Sequence, residues 1–145
     1  MVEIEGVEVY PVKLITDERG MVCKISDPLF TIRDVYVTTV RKDAIKAWHG
    51  YKTKSLYWTV VSGLVKLALY DNRPDSASYG LSETLFLGTT APQSVLVPPG
   101  VFSGFKGIEN GESIIVVQAD EMFSEEGMIR LPYNHFEYSW GIRHG

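Results

Sequence analysis

The stretch Ile45-Lys46-Ala47-Trp48-His49-Gly50-Tyr51 reads as a β-type run ending in a histidine, with Gly50 directly after it. A second run, Val97-Pro98-Pro99-Gly100-Val101-Phe102-Ser103-Gly104-Phe105, follows further along the chain. Together they read as two walls of one β-barrel pocket with His49 looking into it.

The rest of the chain supports that reading, because its hydrophobic spacing is mostly two rather than 3.6. Val7 to Tyr10 alternates, and Pro11 limits that strand to an edge or an end. Thr16-Asp17-Glu18-Arg19-Gly20 is polar and ends in glycine, so it reads as a turn. Met21 to Ile25 is a short strand, broken at Asp27-Pro28. In Asp34 to Val40, Val35, Val37 and Thr39 alternate with Tyr36, Thr38 and Val40, the pattern of a β-branched strand. Arg41-Lys42-Asp43 is a charged turn, and Ala44 to Trp48 is the next strand. Leu56 to Ser62 and Leu64 to Tyr70, joined at Ser62-Gly63, read as a hairpin. Asp71 to Ser76 is a loop by composition. Glu83 to Leu87, Ser94 to Val97, Phe102 to Lys106 and Ser113 to Gln118 are further strands, separated by glycine- and proline-bearing segments. Only Ser124 to Arg130 and the tail beyond it could hold a helical turn. Some ten short, regularly spaced strands predict an all-β fold, a jelly-roll barrel or sandwich with a short C-terminal tail. The length of 145 residues predicts one domain, 1–145.

Composition excludes several classes. A hydrophobic share of 45% and a charged share of 22% are ordinary for a globular chain and argue against disorder. The net charge of −4 lacks the basic footprint of a nucleic-acid groove, yet leaves room for a few local cations to hold a small anion. No apolar run reaches the roughly 18 residues of a membrane span, and no secretory leader is legible, so a cytoplasmic protein is expected. Cys23, the single cysteine, has no partner for an internal disulfide and reads as a small buried hydrophobe.

The candidate chemistry rests on few residues. Of three histidines, His144 is next to the chain end and reads as solvated, and His135 lies in a Tyr133-Asn134-His135-Phe136 loop. His49 is either a hydrogen-bonded histidine of a barrel wall or a base near neutral pH. No His-x-His, second cysteine or histidine in the Val97–Phe105 wall supplies the ligands of a metal site, so no metal is expected. Arg19 beside Gly20 suits an anion, with an exposed turn arginine as the alternative. Lys46 and Lys54 flank His49 and hold a phosphate or an enolate oxygen if they point inward. Trp48, Tyr51, Tyr57, Trp58 and Phe102 are core residues or a ligand platform.

These residues resemble the dTDP-4-dehydrorhamnose 3,5-epimerases and their relatives, which have a cupin-type jelly roll. Asp17-Glu18-Arg19-Gly20 resembles the family's D-x-R-G turn, and Lys46-Ala47-Trp48-His49 stands where the family has R-G-L-H. Gly63 to Arg73 is similar to its G-x-V-x-D-V-x-V-D-x-R segment, and Ser76 to Gly80 to its S-P-T-F-G loop. Val97 to Phe105 resembles its I-P-x-G-F-A-H-G-F wall. Gly127 to Arg130 and Ser139-Trp140 resemble the ends of its C-terminal segment.

The resemblance implies a cofactor-free, metal-free epimerase or isomerase acting on a nucleotide-linked 4-keto-6-deoxyhexose, with no nucleic-acid or membrane partner. It implies a homodimer in which Arg19 holds the diphosphate across the interface. It makes His49 the base that removes a proton next to the ketone, and Lys54 the candidate for stabilising the enolate. Lys46, Tyr51 and Ser103 join Arg19 as substrate-binding residues. A 3,4-ketoisomerase and a sugar-nucleotide-binding module without catalysis are the alternatives. There are departures from the pattern. Ser103 replaces the family's second-wall histidine, and the proton-returning tyrosine falls near Met122-Phe123. The aspartate that orients the histidine falls near Pro132 to Asn134, where there is no acid. Val22 and Lys24 replace an aromatic and a glutamate after the D-x-R-G turn. Tyr51, Tyr57 or Tyr133 could substitute as acid, and Asp120 or Glu121 as partner of the histidine.

Overall fold

Two apolar runs, Leu56–Ser62 and Leu64–Asp71, form interior strands of two different sheets. A computed structural model describes residues 2–27 and 29–145 of the chain. Its strands are β1 (Glu8–Pro11), β2 (Lys13–Asp17), β3 (Gly20–Lys24), β4 (Asp34–Arg41), β5 (Ile45–Tyr51) and β6 (Leu56–Ser62). They continue with β7 (Leu64–Asp71), β8 (Ser82–Gly88), β9 (Gln93–Val97), β10 (Val101–Gly107), β11 (Glu112–Ala119) and β12 (Met128–Arg130). One antiparallel sheet has the order β1-β9-β6-β11-β4, and the other β12-β5-β10-β7-β8. β2 and β3 form a separate hairpin arm. The main core lies between the two sheets. Leu56, Trp58, Val60, Val95, Ile115 and Val117 meet Val65, Leu67, Leu69, Leu87, Val101 and Phe105 there. This is the double-sheet jelly roll that the strand count predicts.

The hairpin expected between Leu56–Ser62 and Leu64–Tyr70 does not form. β6 pairs with β9 and β11, while β7 pairs with β8 and β10. Ser62-Gly63 is instead a corner between sheets. Gly63 has φ of +88°, and a side chain there would collide with Ser113, whose Oγ accepts the Leu64 N–H at 3.2 Å. A serine–glycine turn between two apolar runs looks alike in either role. Both strands are nearly wholly buried, which fits central strands covered on both faces.

Three boundaries also differ. The expected turn at Thr16–Gly20 shortens to Glu18-Arg19, because Lys13–Asp17 is itself a strand paired with β3. The segment read as a helical turn holds a short 3-10 turn at Glu125–Gly127 and then β12, which adds to the edge of β5. β5 runs past His49 to Tyr51. The break expected at Asp27-Pro28 lies partly outside the described residues, since Pro28 is not among them.

The C-terminal tail covers the outer face of the second sheet. Phe136 and Trp140 pack with Trp48, Ala68 and Phe102 in a separate aromatic cluster. The Tyr133 carbonyl accepts the indole N–H of Trp48 at 3.1 Å and of Trp140 at 3.2 Å. Lys66 Nζ donates to the Ser139 and Gly141 carbonyls, both at 2.8 Å, and Lys106 Nζ to that of Trp140 at 2.9 Å. These bonds occupy carbonyls that a strandless tail would otherwise leave to water.

Candidate active site

The β5–β10 ladder contains an irregularity that decides which side chains face inward. Ser103 pairs with His49 and Phe105 with Lys46, so three residues of β5 span what two residues of β10 span. An unbroken strand would put Lys46 and His49 on opposite faces. The extra residue brings Lys46, His49 and Tyr51 to one face, while Trp48 and Gly50 face the aromatic cluster behind.

That face forms one wall of a cavity of about 710 Å³ between the edges of the two sheets. β4 supplies the opposite wall with Asp34, Tyr36 and Thr38, and β12 supplies Met128 and Arg130. Trp58, Phe105 and Phe123 add aromatic surface, and Ile45 and Ala47 add aliphatic surface. Lys46 Nζ reaches across to donate to Thr38 Oγ1 at 3.2 Å. Trp58 is buried, and its indole N–H has no acceptor among the described residues.

The electrostatics favour a neutral histidine. His49 is held below the ordinary histidine value, first by burial and then by the charges of Arg130 and Lys46. Arg130 stands directly opposite it in the β5–β12 ladder. An imidazole in this setting is unprotonated at neutral pH and is free to accept a proton. Tyr36 and Tyr51 are both pushed above the usual phenol range by burial. For Tyr51 the neighbouring Tyr36 hydroxyl and the Arg130 charge act in the opposite direction.

Of the residues predicted from sequence, His49, Lys46 and Tyr51 share the cavity wall. Lys54 does not line it. Lys54 is buried behind Tyr51, with Nζ 4.5 Å from the centre of the Tyr51 ring and 5.8 Å from that of Phe123. Ser103 is buried opposite His49 in the ladder and contributes no cavity surface. Arg19 lies at the exposed tip of the β2–β3 arm, away from the cavity, and pairs there with Asp17 at 2.6 Å. His135 and His144 are exposed. No group of three potential metal ligands occurs among the described residues. The possible substitute acids divide in the same way. Tyr57 packs against Tyr10 and Phe30 instead, and Tyr133 belongs to the tail. Asp120 accepts the Ser55 N–H at 2.8 Å, and Glu121 accepts the Thr53 hydroxyl at 2.9 Å, so both are engaged outside the cavity.

The sequence profile of the dTDP-4-dehydrorhamnose 3,5-epimerase family matches residues 1–143. The chain belongs to this family. As an epimerase-family chain it is an enzyme of the sugar-nucleotide isomerase type. It is 23% identical over 142 residues to "Probable low-salt glycan biosynthesis epimerase Agl13" of Haloferax volcanii, covering 92% of this chain and 91% of that protein. The fold matches the crystal structure of a dTDP sugar isomerase from Desulfovibrio desulfuricans with a TM-score of 0.90 at 23% identity, over 94% of this chain and 92% of the other. It also matches a dTDP-4-dehydrorhamnose 3,5-epimerase from Bacillus anthracis, solved with TDP and PPi bound, with a TM-score of 0.87 at 17% identity over 99% and 90% of the two chains.

Arg130, Tyr36, Asp34 and Thr38 are further wall residues of this epimerase-family cavity that no sequence motif marks. The alternation of β4 carried a signal for three of them, since Asp34, Tyr36 and Thr38 are the inward set opposite exposed Val35 and Val37. Arg130 had no such signal, because its segment reads as a turn.

Proposed function

We propose that this chain epimerises a nucleotide-linked 4-keto-6-deoxyhexose, with His49 as the base. The observation that carries this reading is a half-buried imidazole in a cavity whose two cations are Lys46 and Arg130. A ketone acidifies the neighbouring C–H. His49 takes that proton, and the developing enolate oxygen needs a positive or hydrogen-bonding partner. Lys46 and Arg130 offer charge for the enolate or the diphosphate. The orphaned Trp58 N–H offers a neutral donor that an oxygen of the bound sugar would satisfy. Arg19 acts from a second copy of the chain. It is far from its own cavity, on an arm that exposes Leu14, Ile15, Met21 and Val22, an apolar surface suited to burial against a partner.

The test is conversion of dTDP-4-keto-6-deoxyglucose, followed by NMR of the sugar. The expected product is inverted at C3, C5 or both, and His49→Ala lowers the rate by roughly 10²- to 10⁴-fold. Movement of the carbonyl to C3 would make it a 3,4-ketoisomerase instead. One observation favours a second reading, a binding module without catalysis: among the described residues no carboxylate hydrogen-bonds the His49 ring. Tight binding of the nucleotide-sugar without conversion would select it.

A further inference from the structure

The epimerase reading needs two groups, a base on one face of the sugar ring and an acid on the other. The cavity position near the expected acid is occupied by Phe123, which has no proton to give. Two phenols remain in the wall, Tyr36 and Tyr51. Tyr51 is two residues beyond His49 on the same face of β5. Two strand rises separate their backbones by about 6.6 Å. A reacting carbon needs a donor or acceptor about 3 to 3.5 Å away. That backbone spacing leaves room for a flat sugar ring to enter edge-on between the two side chains, with the imidazole on one face and the phenol on the other.

The surroundings of Tyr51 are arranged around its hydroxyl and ring. Lys54 is buried to within 6% of full coverage, and no hydrogen bond or ion pair holds its ammonium among the described residues. Its Nζ rests instead on the Tyr51 face, 4.5 Å from the ring centre. The ring face attracts the ammonium while the phenol is neutral. Once the phenol gives up its proton, the same contact becomes an attraction between opposite charges. Arg130 from β12 and the Tyr36 hydroxyl from β4 act in the same sense. Of the other charged groups nearby, Asp34 of β4 lines the same cavity, Lys46 donates to Thr38 and Lys52 is exposed. Arg73, across a neighbouring groove that Tyr51 also lines, pairs with Asp71 at 2.8 Å. Glu121 holds the Thr53 hydroxyl, and Glu5 and Asp75 are exposed.

We propose that Tyr51 is the catalytic acid, facing His49 across the bound sugar, and that Lys54 is the positioning residue that supports its ring from beneath. This rests on the epimerase reading above. His49 takes the proton, and the C–H electron pair becomes the enolate double bond. The enolate then forms a new C–H bond on the far face with the Tyr51 proton, the ketone is restored, and the phenolate and imidazolium exchange protons with water. No oxidant or further reactant is needed.

The experiment follows dTDP-4-keto-6-deoxyglucose in heavy water with the wild type, Tyr51→Phe, Lys54→Met and Lys54→Arg. In Tyr51→Phe the enolate is reprotonated only from the His49 side. Recovered substrate then takes up deuterium within about threefold of the wild-type rate, while epimer formation falls by roughly 100-fold or more. Epimer formation close to the wild-type rate, or exchange and epimer falling together, would overturn the assignment to Tyr51. A wild type that neither exchanges nor epimerises overturns the functional reading itself, and the acid with it. Lys54 has its own readout without substrate: titration of the Tyr51 Cζ carbon-13 resonance, identified by its loss in Tyr51→Phe. Lys54→Met moves that titration to higher pH and Lys54→Arg restores it. Lys54→Met also lowers kcat roughly tenfold at nearly constant KM. An unmoved titration would overturn the role of Lys54.

Discussion

Adding one methyl group to Gly50 tests how tightly the aromatic cluster behind β5 holds the catalytic face in front of it. A Cβ built on Gly50 lies 2.6 Å from Cε2 and Cζ of Phe102 and 2.7 Å from Cε1, where ordinary contact begins at 3.4 Å. The shortfall is roughly 0.8 Å. Phe102 cannot give way easily. It is 3% exposed and packs edge-on against Phe136, which in turn stacks on Tyr70 at 3.8 Å. β5 must therefore move toward the cavity, and His49 and Tyr51 move with it. Overpacking of this kind costs about 1 to 3 kcal/mol. At roughly 3 °C per kcal/mol for a chain of this size, Gly50→Ala melts about 3 to 10 °C lower. A displacement of nearly 1 Å at the reacting groups lowers kcat by on the order of 100-fold. Calorimetric melting and steady-state epimerisation measure the two effects. Phe102→Leu added to Gly50→Ala makes room for the methyl group and should recover part of both losses, as coupled neighbours do. A Gly50→Ala protein that melts within a degree of the wild type and turns over at its rate would refute the reasoning.

Other expectations follow from the charges and the tail. His49 must be neutral to act and is held below the ordinary value of 6.5, so the acid limb of the pH–rate profile lies below 6.5. Arg130→Gln removes a repelling cation, makes protonation of His49 easier and moves that limb to higher pH. Buried Asp71 accepts Arg73 Nε at 2.8 Å, the Arg73 N–H at 3.0 Å and Ser76 Oγ at 2.7 Å. Burial alone would raise its carboxyl, but these bonds and one from Ser78 outweigh it and hold the carboxyl well below the usual carboxylate range. Asp71→Asn therefore lowers the urea-unfolding free energy at pH 7 by about 3 kcal/mol. The gap to wild type narrows as the pH falls below about 4, where the ionised carboxylate loses its advantage. Trp140→Ala, which removes a ring packed on Trp48 in the outer aromatic cluster, costs about 3 kcal/mol in the same assay.

The strands were legible because one face of each is wet or packed differently from the other. In β4 the exposed Val35 and Val37 alternate with inward Tyr36 and Thr38, and that period survives in the sequence. The partners of each strand were not legible. Ser62-Gly63 has the chemistry of a hairpin turn, and only the contact with Ser113, far along the chain, makes it a corner. The cavity was legible only along β5. Its other walls come from β4 and β12, and nothing local in Met128–Arg130 marks a strand that will pair beside His49. The irregular pairing that turns Lys46 and His49 to the same side depends on β10 and leaves no mark in β5 alone. Sequence leaves open whether Lys54, close to His49 along the chain, points inward or to solvent. Its place under the Tyr51 ring depends on the turn after β5, which periodicity does not describe.

In the proposed reaction His49 removes a proton beside a ketone. Deuterium uptake from heavy water into dTDP-4-keto-6-deoxyglucose, measured by proton NMR at C3 and C5 with the wild type and His49→Ala side by side, tests it most directly. Label at C3, C5 or both is expected with the wild type, and a rate lower by at least about 100-fold in the variant. Equal uptake in the two proteins, or none in the wild type while the sugar binds, would contradict it.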